Sequence, residues 1–411
     1  MRVLMLTWEY PPRIIGGIAR HAYALSHALA RIGVEVEVIT APHPDAQPSE
    51  TLRPKAPKAA ELSVYRTEGD PIEPLDFVAG IHQLGHSLLE KAIPLVAARK
   101  PDVVHAHDWL VAFPARTLKH AYGLPLVTTI HATEHGRNDG IHTPLQHYIN
   151  SVEWMATYEA ARVICCSQFM RDEVERVLTC PVDKIRVVPN GIELDRMTPP
   201  QGSTPGDLAE FRKRFARADE QLVLYVGRMV REKGVAVLVE AIPRVLAERP
   251  GTRFVFAGGG YTEGLEARAA ALRLGDRARF TGFLSEDDLR RLYAVADAAV
   301  YPSLYEPFGI VALEAMAAKV PLVTSDVGGF REIVEHNVTG IMTWANNPES
   351  LAWGVLQVLG NRALARRLVK AAYQKVVRDY PWERIARQTL EAYEEACGPS
   401  RALPRGGGRR R

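Results

Sequence analysis

The stretch "YPSLYEPFGIVALEAMAAKVPLVTSDVGG", residues 301–329, decides the fold because it runs from the end of one strand through a helix into another strand. The apolar runs at 298–303 and 321–326 have the length of buried strands, and the segment between them reads as a helix. A strand, a helix and a second strand in this order are typical of a parallel sheet. The stretch also holds two carboxylates, Glu306 and Glu314, that helix periodicity alone does not require.

The same alternation extends over the whole chain. In the first half, apolar runs that predict strands occupy 2–6, 35–40, 102–106, 125–130, 162–166 and 185–189. In the second half they occupy 222–228, 253–260, 278–284, 298–303 and 321–326. Amphipathic segments separate them, for example residues 19–33, which end on Gly33 as a helix C-cap would. The pattern predicts an α/β protein with two doubly wound, Rossmann-like domains.

A segment rich in Pro, Gly, Ser and Thr at 198–207 separates the two halves. A length of 411 residues also favours two domains. The predicted parts are an N-terminal domain at 1–197, a linker at 198–220, a C-terminal domain at 221–380, an amphipathic helix at 381–397 that crosses back to the first domain, and a disordered basic tail at 398–411.

Composition excludes several classes of partner. The 51 basic and 48 acidic residues give a net charge of +3, which is too small to indicate a nucleic acid or membrane partner. The four cysteines form no CxxC pair, so we expect reduced thiols in a cytoplasmic protein. The N-terminal apolar run is short and is followed by Glu9 and two prolines, which predicts neither a signal peptide nor stable membrane insertion. The sequence gives no signal for an oligomeric state.

Two segments are candidates for binding phosphate. Gly16 and Gly17 follow the first predicted strand and precede a helix, so their backbone N–H groups can face an anion. Arg228 and Lys233 follow a buried strand in "YVGRMVREKG", at the end of a sheet where α/β proteins bind ligands. A glycine pair is also common in plain turns, and two basic residues are also common on a solvated surface. The two segments together favour a diphosphate site.

Glu306 and Glu314 differ in their expected positions on one helix. Eight residues correspond to about 2.2 turns, so Glu306 lies beyond the helix N-terminus and Glu314 on the side of the helix. One carboxylate is then free to face the reacting end of a ligand while the other accepts hydroxyl hydrogen bonds.

The segment "HAHD" at 105–108 raises the alternative of a metal site. His105 and His107 would point the same way in a strand, as two ligands of one metal would. Further histidines lie nearby in the sequence, at His131, His135, His142 and His147.

The motifs together resemble a known family. The glutamate pair within "PSLYEPFGIVALEAMAAKVPLVTSDVGGFREIV", with "VGRMVREKG", "VVPNGIELDRM" and "GGIARH", is similar to the retaining glycosyltransferases of family 4, from Met1 to about Cys397. The resemblance implies the GT-B fold, in which two Rossmann-like domains face each other across a cleft. It also implies transfer that needs no metal and no cofactor, with a nucleotide sugar as substrate.

The N-terminal motifs "WEYPPRIIGGIARH", "PDVVHAHDWL" and "TTIHATEHGR" narrow the resemblance. They are similar to the glycogen and starch synthase branch, and most of all to its mycobacterial α-1,4-glucosyltransferases of methylglucose lipopolysaccharide and glycogen synthesis. This implies glucose transfer from ADP-glucose or UDP-glucose to an α-1,4-glucan. The rival within the family moves mannose or glucose to a lipid or small acceptor, and the rival outside it is a non-catalytic sugar-nucleotide binding module.

In the first half, the resemblance implies roles for three residues. His131 lies beside the transferred sugar, where its carbonyl and ring support positive charge at the anomeric carbon. Asp108 contacts the sugar or the acceptor, and Gly17 contacts the phosphates.

In the second half, the resemblance implies that Arg228 and Lys233 bind the leaving diphosphate. Glu306 then faces the sugar hydroxyls and Glu314 the ribose. Backbone groups near the helix start assist the phosphate and sugar, and two apolar side chains bound the base. These residues are Gly309, Ile310, Val311, Phe283 and Leu284.

Overall fold

The computed structural model describes residues 1–69 and 72–398. They form two compact units, the first made of Met1–Gly191 and the C-terminal helix that begins at Trp382, the second of Ile192–Pro381. Both units have helices around a sheet of mainly parallel strands, which confirms the predicted α/β class. The tail predicted at 398–411 lies outside the described residues, apart from Gly398.

The first unit contains an eight-stranded sheet among its described residues. Its strands are β1 (Arg2–Leu6), β2 (Glu35–Thr40), β3 (Ser49–Leu52), β4 (Leu62–Arg66), β5 (Val103–His107), β6 (Leu126–Ile130), β7 (Arg162–Cys165) and β8 (Ile185–Val187). They pair in the order β3-β4-β2-β1-β5-β6-β7-β8. The edge strand β3 is antiparallel to β4, and the other pairs are parallel.

Helices cover this sheet. They are α1 (Gly17–Arg31), α2 (Phe77–Ala98), α3 (Ala112–Tyr122), α4 (Glu134–Asn138), α5 (Pro144–Glu159) and α6 (Gln168–Leu178). The alanine-rich face of α1 is buried with the valines of β1 and β2 in one apolar cluster. Small side chains let this helix lie close to the sheet.

The second unit contains a six-stranded parallel sheet among its described residues. Its strands are β9 (Gln221–Val226), β10 (Thr252–Ala257), β11 (Ala278–Gly282), β12 (Ala298–Tyr301), β13 (Leu322–Ser325) and β14 (Ile341–Thr343), in the order β11-β10-β9-β12-β13-β14. Its helices are α7 (Pro205–Lys213), α8 (Val235–Glu248), α9 (Glu263–Ala271), α10 (Glu286–Val295), α11 (Ile310–Ala317), α12 (Phe330–Ile333), α13 (Pro348–Gly360) and α14 (Arg362–Asp379).

The domain boundary differs from the prediction. The first unit ends before the predicted boundary at 197, and the linker predicted at 198–220 belongs to the second unit. Helix α7 lies inside that segment, and Phe211 and Phe215 are buried there. Burial of two aromatic side chains makes this segment part of a folded unit and not a flexible connection.

The C-terminal helix α15 (Trp382–Cys397) belongs to the first unit. Its buried residues Trp382, Ile385 and Tyr393 share an apolar cluster with α1, and Leu390 packs against that cluster. Within the described residues, no helix has both the length and the apolar character that crossing a bilayer needs.

Each sheet has one point where the chain connections change direction. Strand β1 lies between β2 and β5, and β9 lies between β10 and β12. In open parallel sheets, the loops that leave the carboxyl ends of such strands diverge and form a crevice for ligands. The segments after β1, β5 and β6, and those after β9, β11 and β12, carry the predicted site residues.

Candidate active site

In the first unit, a hydrogen bond joins the side chain of Asp108 to the backbone of His131. Asp108 follows β5, and its Oδ1 accepts the N–H of His131, which follows β6, at 2.8 Å. Asp108 is 2% exposed and has φ +61°, a conformation that non-glycine residues rarely adopt. Such backbone strain costs on the order of 1–3 kcal/mol and is concentrated at functional sites. The two predicted residues therefore form one hydrogen-bonded pair.

Arg137, which the predictions did not include, lies among three carboxylates. Its guanidinium lies 3.8 Å from Asp108, 3.5 Å from Glu134 and 3.8 Å from Glu153. Burial raises the pKa of Asp108 to about 6, and Arg137 and the His131 N–H oppose this shift. Burial raises the pKa of Glu153 further, to about 8, against the same guanidinium. The charge of Asp108 therefore changes close to neutral pH.

Three imidazoles, those of His21, His107 and His131, come together in the first unit and are called the histidine cluster below. The Nδ1 of His107 lies 3.1 Å from the Nε2 of His131, and the His21 ring is 4.7 Å from the His131 ring. Burial lowers the pKa of His21 and of His131 to about 3, and it lowers that of His107 well below its ordinary value. The cluster is therefore uncharged at neutral pH.

Two residues outside the predictions orient His21. Its Nδ1 hydrogen-bonds the side-chain oxygen of Asn190 at 2.5 Å, and its ring contacts Trp382 of α15 edge-on. Because the amide oxygen of Asn190 only accepts, the proton of His21 sits on Nδ1. His21 lies one turn into α1, within the quoted motif "GGIARH", and Asn190 lies within "VVPNG". Both motifs were used for the resemblance, but neither residue was assigned a role.

Of the histidines considered from the sequence as metal ligands, the described structure brings His107 and His131 together, and it adds His21 to them. His105 hydrogen-bonds Thr129 at 2.7 Å and Tyr393 of α15 at 2.7 Å, so both of its ring nitrogens are engaged. The histidine cluster instead has ligand atoms within 4.8 Å of one another, and the Nε2 atoms of His21 and His107 are buried without a hydrogen-bond partner. Neutral imidazoles suit zinc. That the protein needs no metal stays a prediction.

Gly16 does not face an open anion site. Its N–H donates to the carboxylate of Glu9 at 2.9 Å, and the N–H of Ile15 donates to the same oxygen at 2.7 Å. Glu9 is 2% exposed, and burial raises its pKa. The prediction that the Gly16 N–H is available to a ligand is therefore wrong for this conformation, because a carboxylate of the chain occupies it. Gly17 is the first residue of α1, and its predicted phosphate contact stays a prediction.

In the second unit, the two predicted cations pair with different carboxylates. The Nζ of Lys233 lies 2.8 Å from the Oε2 of Glu306, and the side chains are 22% and 6% exposed. Arg228 lies 3.2 Å from Glu232, and half of its side chain is exposed. The carbonyl of Glu232 also accepts the N–H groups of Leu304 and Tyr305 at 2.8 and 3.1 Å. The loop after β9 and the loop after β12 are thus joined at one place.

Glu306 is held at the start of α11. Its Oε2 also accepts the hydroxyl of Ser303 at 3.0 Å, and its carbonyl accepts the N–H of Gly329 at 2.8 Å. Helix α11 begins at Ile310, with Gly309 as its N-cap, so the first-turn N–H groups at Gly309, Ile310 and Val311 point toward the same edge. Two cations, a carboxylate and helix N–H groups can together hold a diphosphate and hydroxyl groups.

Glu314 lies apart from this set. It is 4% exposed, and its Oε2 accepts the hydroxyl of Tyr293 at 3.0 Å, which in turn lies 3.0 Å from the hydroxyl of Tyr301. One oxygen of Glu314 therefore hydrogen-bonds a buried tyrosine in the core of the second unit. Its predicted contact with a ribose stays a prediction.

Phe283 and Leu284 follow β11. Phe283 is 82% exposed, and its ring lies against Gly259, where it leaves no room for a Cβ. Leu284 is half-buried. An exposed ring over a glycine turn is a flat apolar surface, which suits the face of a base. This part of the prediction stays open to test.

Two family models match the chain. Residues 15–196 match the model described as Glycosyltransferase Family 4, and residues 207–375 match the model described as Glycosyl transferases group 1. The first match lies mostly within the first unit, and the second lies within the second unit.

Curated relatives span nearly the whole chain. An uncharacterized glycosyltransferase of Methanocaldococcus jannaschii is 38% identical over 96% of this chain and 98% of that protein. A glycogen synthase of Mycobacterium tuberculosis is 38% identical over 96% of this chain and 94% of that protein. An alpha-maltose-1-phosphate synthase of the same organism is 32% identical over 97% of this chain and 100% of that protein.

A solved structure has the same architecture. Sucrose-phosphate synthase from Thermosynechococcus elongatus superimposes with a TM-score of 0.80 at 25% identity, over 95% of this chain and 98% of that one. The predicted GT-B fold is confirmed.

Proposed function

The chain belongs to the glycosyltransferases that combine a family 4 domain with a group 1 domain, and on this premise we propose that it extends α-1,4-glucans. It transfers glucose from ADP-glucose or UDP-glucose to the non-reducing end of the acceptor, with retention at the anomeric carbon. The likeness to the mycobacterial glycogen synthase over almost the full length of both chains carries this assignment.

In this proposal the second unit binds the donor. Negative charge grows on the diphosphate as its bond to the sugar breaks, and fixed cations and N–H dipoles stabilise that charge. Arg228 and Lys233 supply the cations, and the N–H groups of Gly309, Ile310 and Val311 supply the dipoles. Glu306 holds Lys233 at 2.8 Å and offers its other oxygen to a sugar hydroxyl. Phe283 and Leu284 contact the base, and Glu314 the ribose.

The first unit supplies the groups around the anomeric carbon. Positive charge develops there, and the neutral imidazole and the carbonyl of His131 stabilise it where an imidazolium would repel it. The low pKa of the three clustered histidines, caused by burial, supports this role. Asp108 accepts a hydrogen bond from the sugar or acceptor, and Asn190 positions His21 next to His131.

Retention requires the acceptor to attack on the face that the diphosphate leaves. The bond from the anomeric carbon to the diphosphate breaks as the acceptor oxygen bonds to that carbon, and the departing phosphate takes the proton of the acceptor hydroxyl. Arg228 and Lys233 do the work that a divalent ion does elsewhere. If EDTA abolishes turnover and a divalent ion restores it, this metal-free mechanism is wrong.

A second candidate is transfer to a small phosphorylated sugar. The 32% identity with an alpha-maltose-1-phosphate synthase over the full length of that protein favours it. The two candidates share the donor site and differ only in the acceptor.

One experiment separates these candidates. ADP-, UDP- and GDP-glucose and GDP-mannose are offered in turn with maltooligosaccharides or with glucose 1-phosphate. Products are scored by mass and by their sensitivity to α-glucosidase. Extension of maltooligosaccharides from ADP- or UDP-glucose is expected. Conversion of glucose 1-phosphate alone, or use of mannose, would overturn the glucan assignment.

A further inference from the structure

A groove with two exposed tryptophans follows the edge strand β14 of the second unit. It is an open depression with a volume of about 470 Å³ and is called the tryptophan groove below; it is lined by His336, Met342, Trp344, Asn347, Glu349, Ser350 and Trp353. Its volume falls within the range of about 300–1,000 Å³ that small-ligand sites occupy. None of these residues has a role in the proposed transfer reaction.

The exposure of both indoles is unusual for a folded protein. Trp344 is 74% exposed and Trp353 is 46% exposed. Large apolar surfaces in contact with water are unfavourable, and where they cluster beside polar groups they mark binding sites. Trp344 follows the edge strand β14, which β13 separates from β12, so the groove begins roughly 10 Å along the sheet from the end of β12.

Hydrogen bonds hold the groove in shape before any ligand binds. Ser350 accepts the backbone N–H of Trp344 at 3.0 Å, and Asn347 accepts the N–H of Ser350 at 2.8 Å as the N-cap of α13. His336 accepts the N–H of Met342 through Nδ1 at 3.1 Å, and its ring lies nearly parallel to that of Trp353. A preformed site loses little entropy on binding.

The remaining polar groups can serve a ligand. Because Nδ1 of His336 accepts, its Nε2 carries a proton in the neutral ring and can donate it. The amide of Asn347 and the hydroxyl of Ser350 are further donors. The carboxylate of Glu349 is paired with Arg244 at 2.9 Å, so the groove presents no uncompensated charge. This combination suits a neutral ligand with apolar faces and many hydroxyl groups, and not a phosphate or a nucleic acid.

We propose that the tryptophan groove binds an α-glucan chain at a site separate from the transfer site. A glucosyl ring has one face of C–H groups, which packs on an indole, and a rim of hydroxyl groups, which hydrogen-bond to donors such as those of Asn347 and Ser350. The inference rests on the proposed function, since it takes the acceptor polymer as the ligand. A polymer held in the groove stays near the transfer site, which raises the effective concentration of its chain ends.

The test measures binding without any donor. Trp344→Ala and Trp353→Ala are compared with wild type and with Trp154→Ala, which removes a tryptophan of similar exposure, 45%, from α5 of the first unit. Binding is measured as retardation in native gels that contain glycogen, relative to gels without polymer. Gels that contain dextran serve as the control polymer. Wild type and Trp154→Ala should be retarded by glycogen, and each groove variant should lose on the order of tenfold in apparent affinity. Thermal melts confirm that the variants fold.

Kinetics provide the second readout. The groove variants should extend a short maltooligosaccharide within about twofold of wild type, and their KM for glycogen should rise on the order of tenfold. Equal retardation of the groove variants and wild type would overturn the inference, as would equal loss in Trp154→Ala. A change of sedimentation coefficient in the groove variants without loss of glycogen binding would assign the groove to a protein partner and also overturn it.

The gel measurement distinguishes a failure of the groove inference from a failure of the proposed function. Retardation that depends on Trp344 and Trp353 supports the groove even if no donor is transferred, in which case the transfer proposal alone fails. If wild type extends glucans but glycogen does not retard it, the groove inference alone fails.

Discussion

Lys233 and Glu306 are the residue pair on which the proposed chemistry depends most. They lie 2.8 Å apart, and Ser303 fixes the same carboxylate oxygen. Lys233→Ala removes a cation from the leaving group, and Glu306→Ala removes the sugar contact and frees Lys233. Each should lower kcat on the order of tenfold to a thousandfold, because one lost transition-state contact has about that effect.

The matched control for this prediction is Lys213→Ala. Lys213 also forms an ion pair with a glutamate, Glu210, at 2.6 Å, but both side chains are about 70% exposed on α7. Its loss should leave kcat within about twofold, because exposed pairs contribute little. A kcat within threefold of wild type for both Lys233→Ala and Glu306→Ala would show that their assigned roles are wrong.

Asp108 should set the acid limit of activity. Burial raises its pKa from an ordinary value of 3.8 to about 6, whereas His21 and His131 titrate near 3. Below pH 6 the carboxyl is protonated and loses the negative charge that makes it a strong acceptor for a substrate hydroxyl, so kcat/KM should fall toward lower pH with a midpoint near 6. Asp108→Asn should be slower on the order of tenfold and should lack this midpoint.

The stability of the folded protein should fall as the pH rises, whereas kcat/KM should increase. Since the folded pKa of Asp108 is raised, its contribution to stability is present below pH 3.8 and is lost as the pH rises through about 6. Asp108→Asn keeps an oxygen for the His131 N–H, and its melting temperature should exceed that of wild type above pH 6 and match it near pH 3.5.

A pH–rate profile of wild type with no break between pH 5 and 7 would contradict the role of Asp108 as the group that sets the acid limit of activity.

At the scale of elements, the join between the loops after β9 and β12 depends on Gly234. This glycine has φ +63°, and a Cβ there would overlap the carbonyl oxygen of Pro302. Gly234→Ala should therefore push the loop of Glu306 away from Lys233. We expect a lower melting temperature and a loss of kcat on the order of tenfold or more.

Gly123→Ala is the control for this prediction. Gly123 has φ +59° at the end of α3, and a Cβ there meets nothing within 4 Å. It carries the same left-handed strain of about 1–2 kcal/mol without a collision. Equal effects of the two substitutions on kcat would show that the loop contact has no part in activity.

The strands show how far elements can be predicted from sequence. Central strands such as β1, β6 and β9 were predicted to within a residue or two, because strands buried on both faces are continuous apolar runs. The edge strands β3 and β14 were missed, since β3 is largely exposed and polar and β14 has only three residues. The interior strand β4 was also missed, because its sequence LSVYR alternates apolar and polar residues and forms no continuous apolar run. The sequence of helix α7 predicts a linker because its capping box, Thr204 with Asp207, has the composition of a turn.

At the scale of the whole molecule, the sequence pattern places the candidate site residues at strand ends but does not show how distant residues meet there. The carboxyl edge of a parallel sheet gathers the ends of its strands, so Asp108 and His131 were predictable as neighbours. His21 and Asn190 lie 169 residues apart and meet only through the packing of α1 in the fold, which no local pattern reports. The occupation of the Gly16 N–H by Glu9 is likewise a tertiary contact.

In the proposed reaction the second unit binds the donor and the first unit supplies the groups around the anomeric carbon. Ligand-dependent stability can test these two roles separately. A nucleoside diphosphate that binds only the folded protein stabilises it by about 2.7 kcal/mol at a hundred times its Kd. ADP or UDP should therefore raise the melting temperature of wild type and of His131→Ala alike, because His131 lies in the first unit. The rise should shrink in Lys233→Ala, which lies in the second unit. His131→Ala should nevertheless lose transfer activity, since its imidazole no longer supports the anomeric carbon. An ADP- or UDP-dependent rise that survives in Lys233→Ala and disappears in His131→Ala would reverse the assignment of the two units.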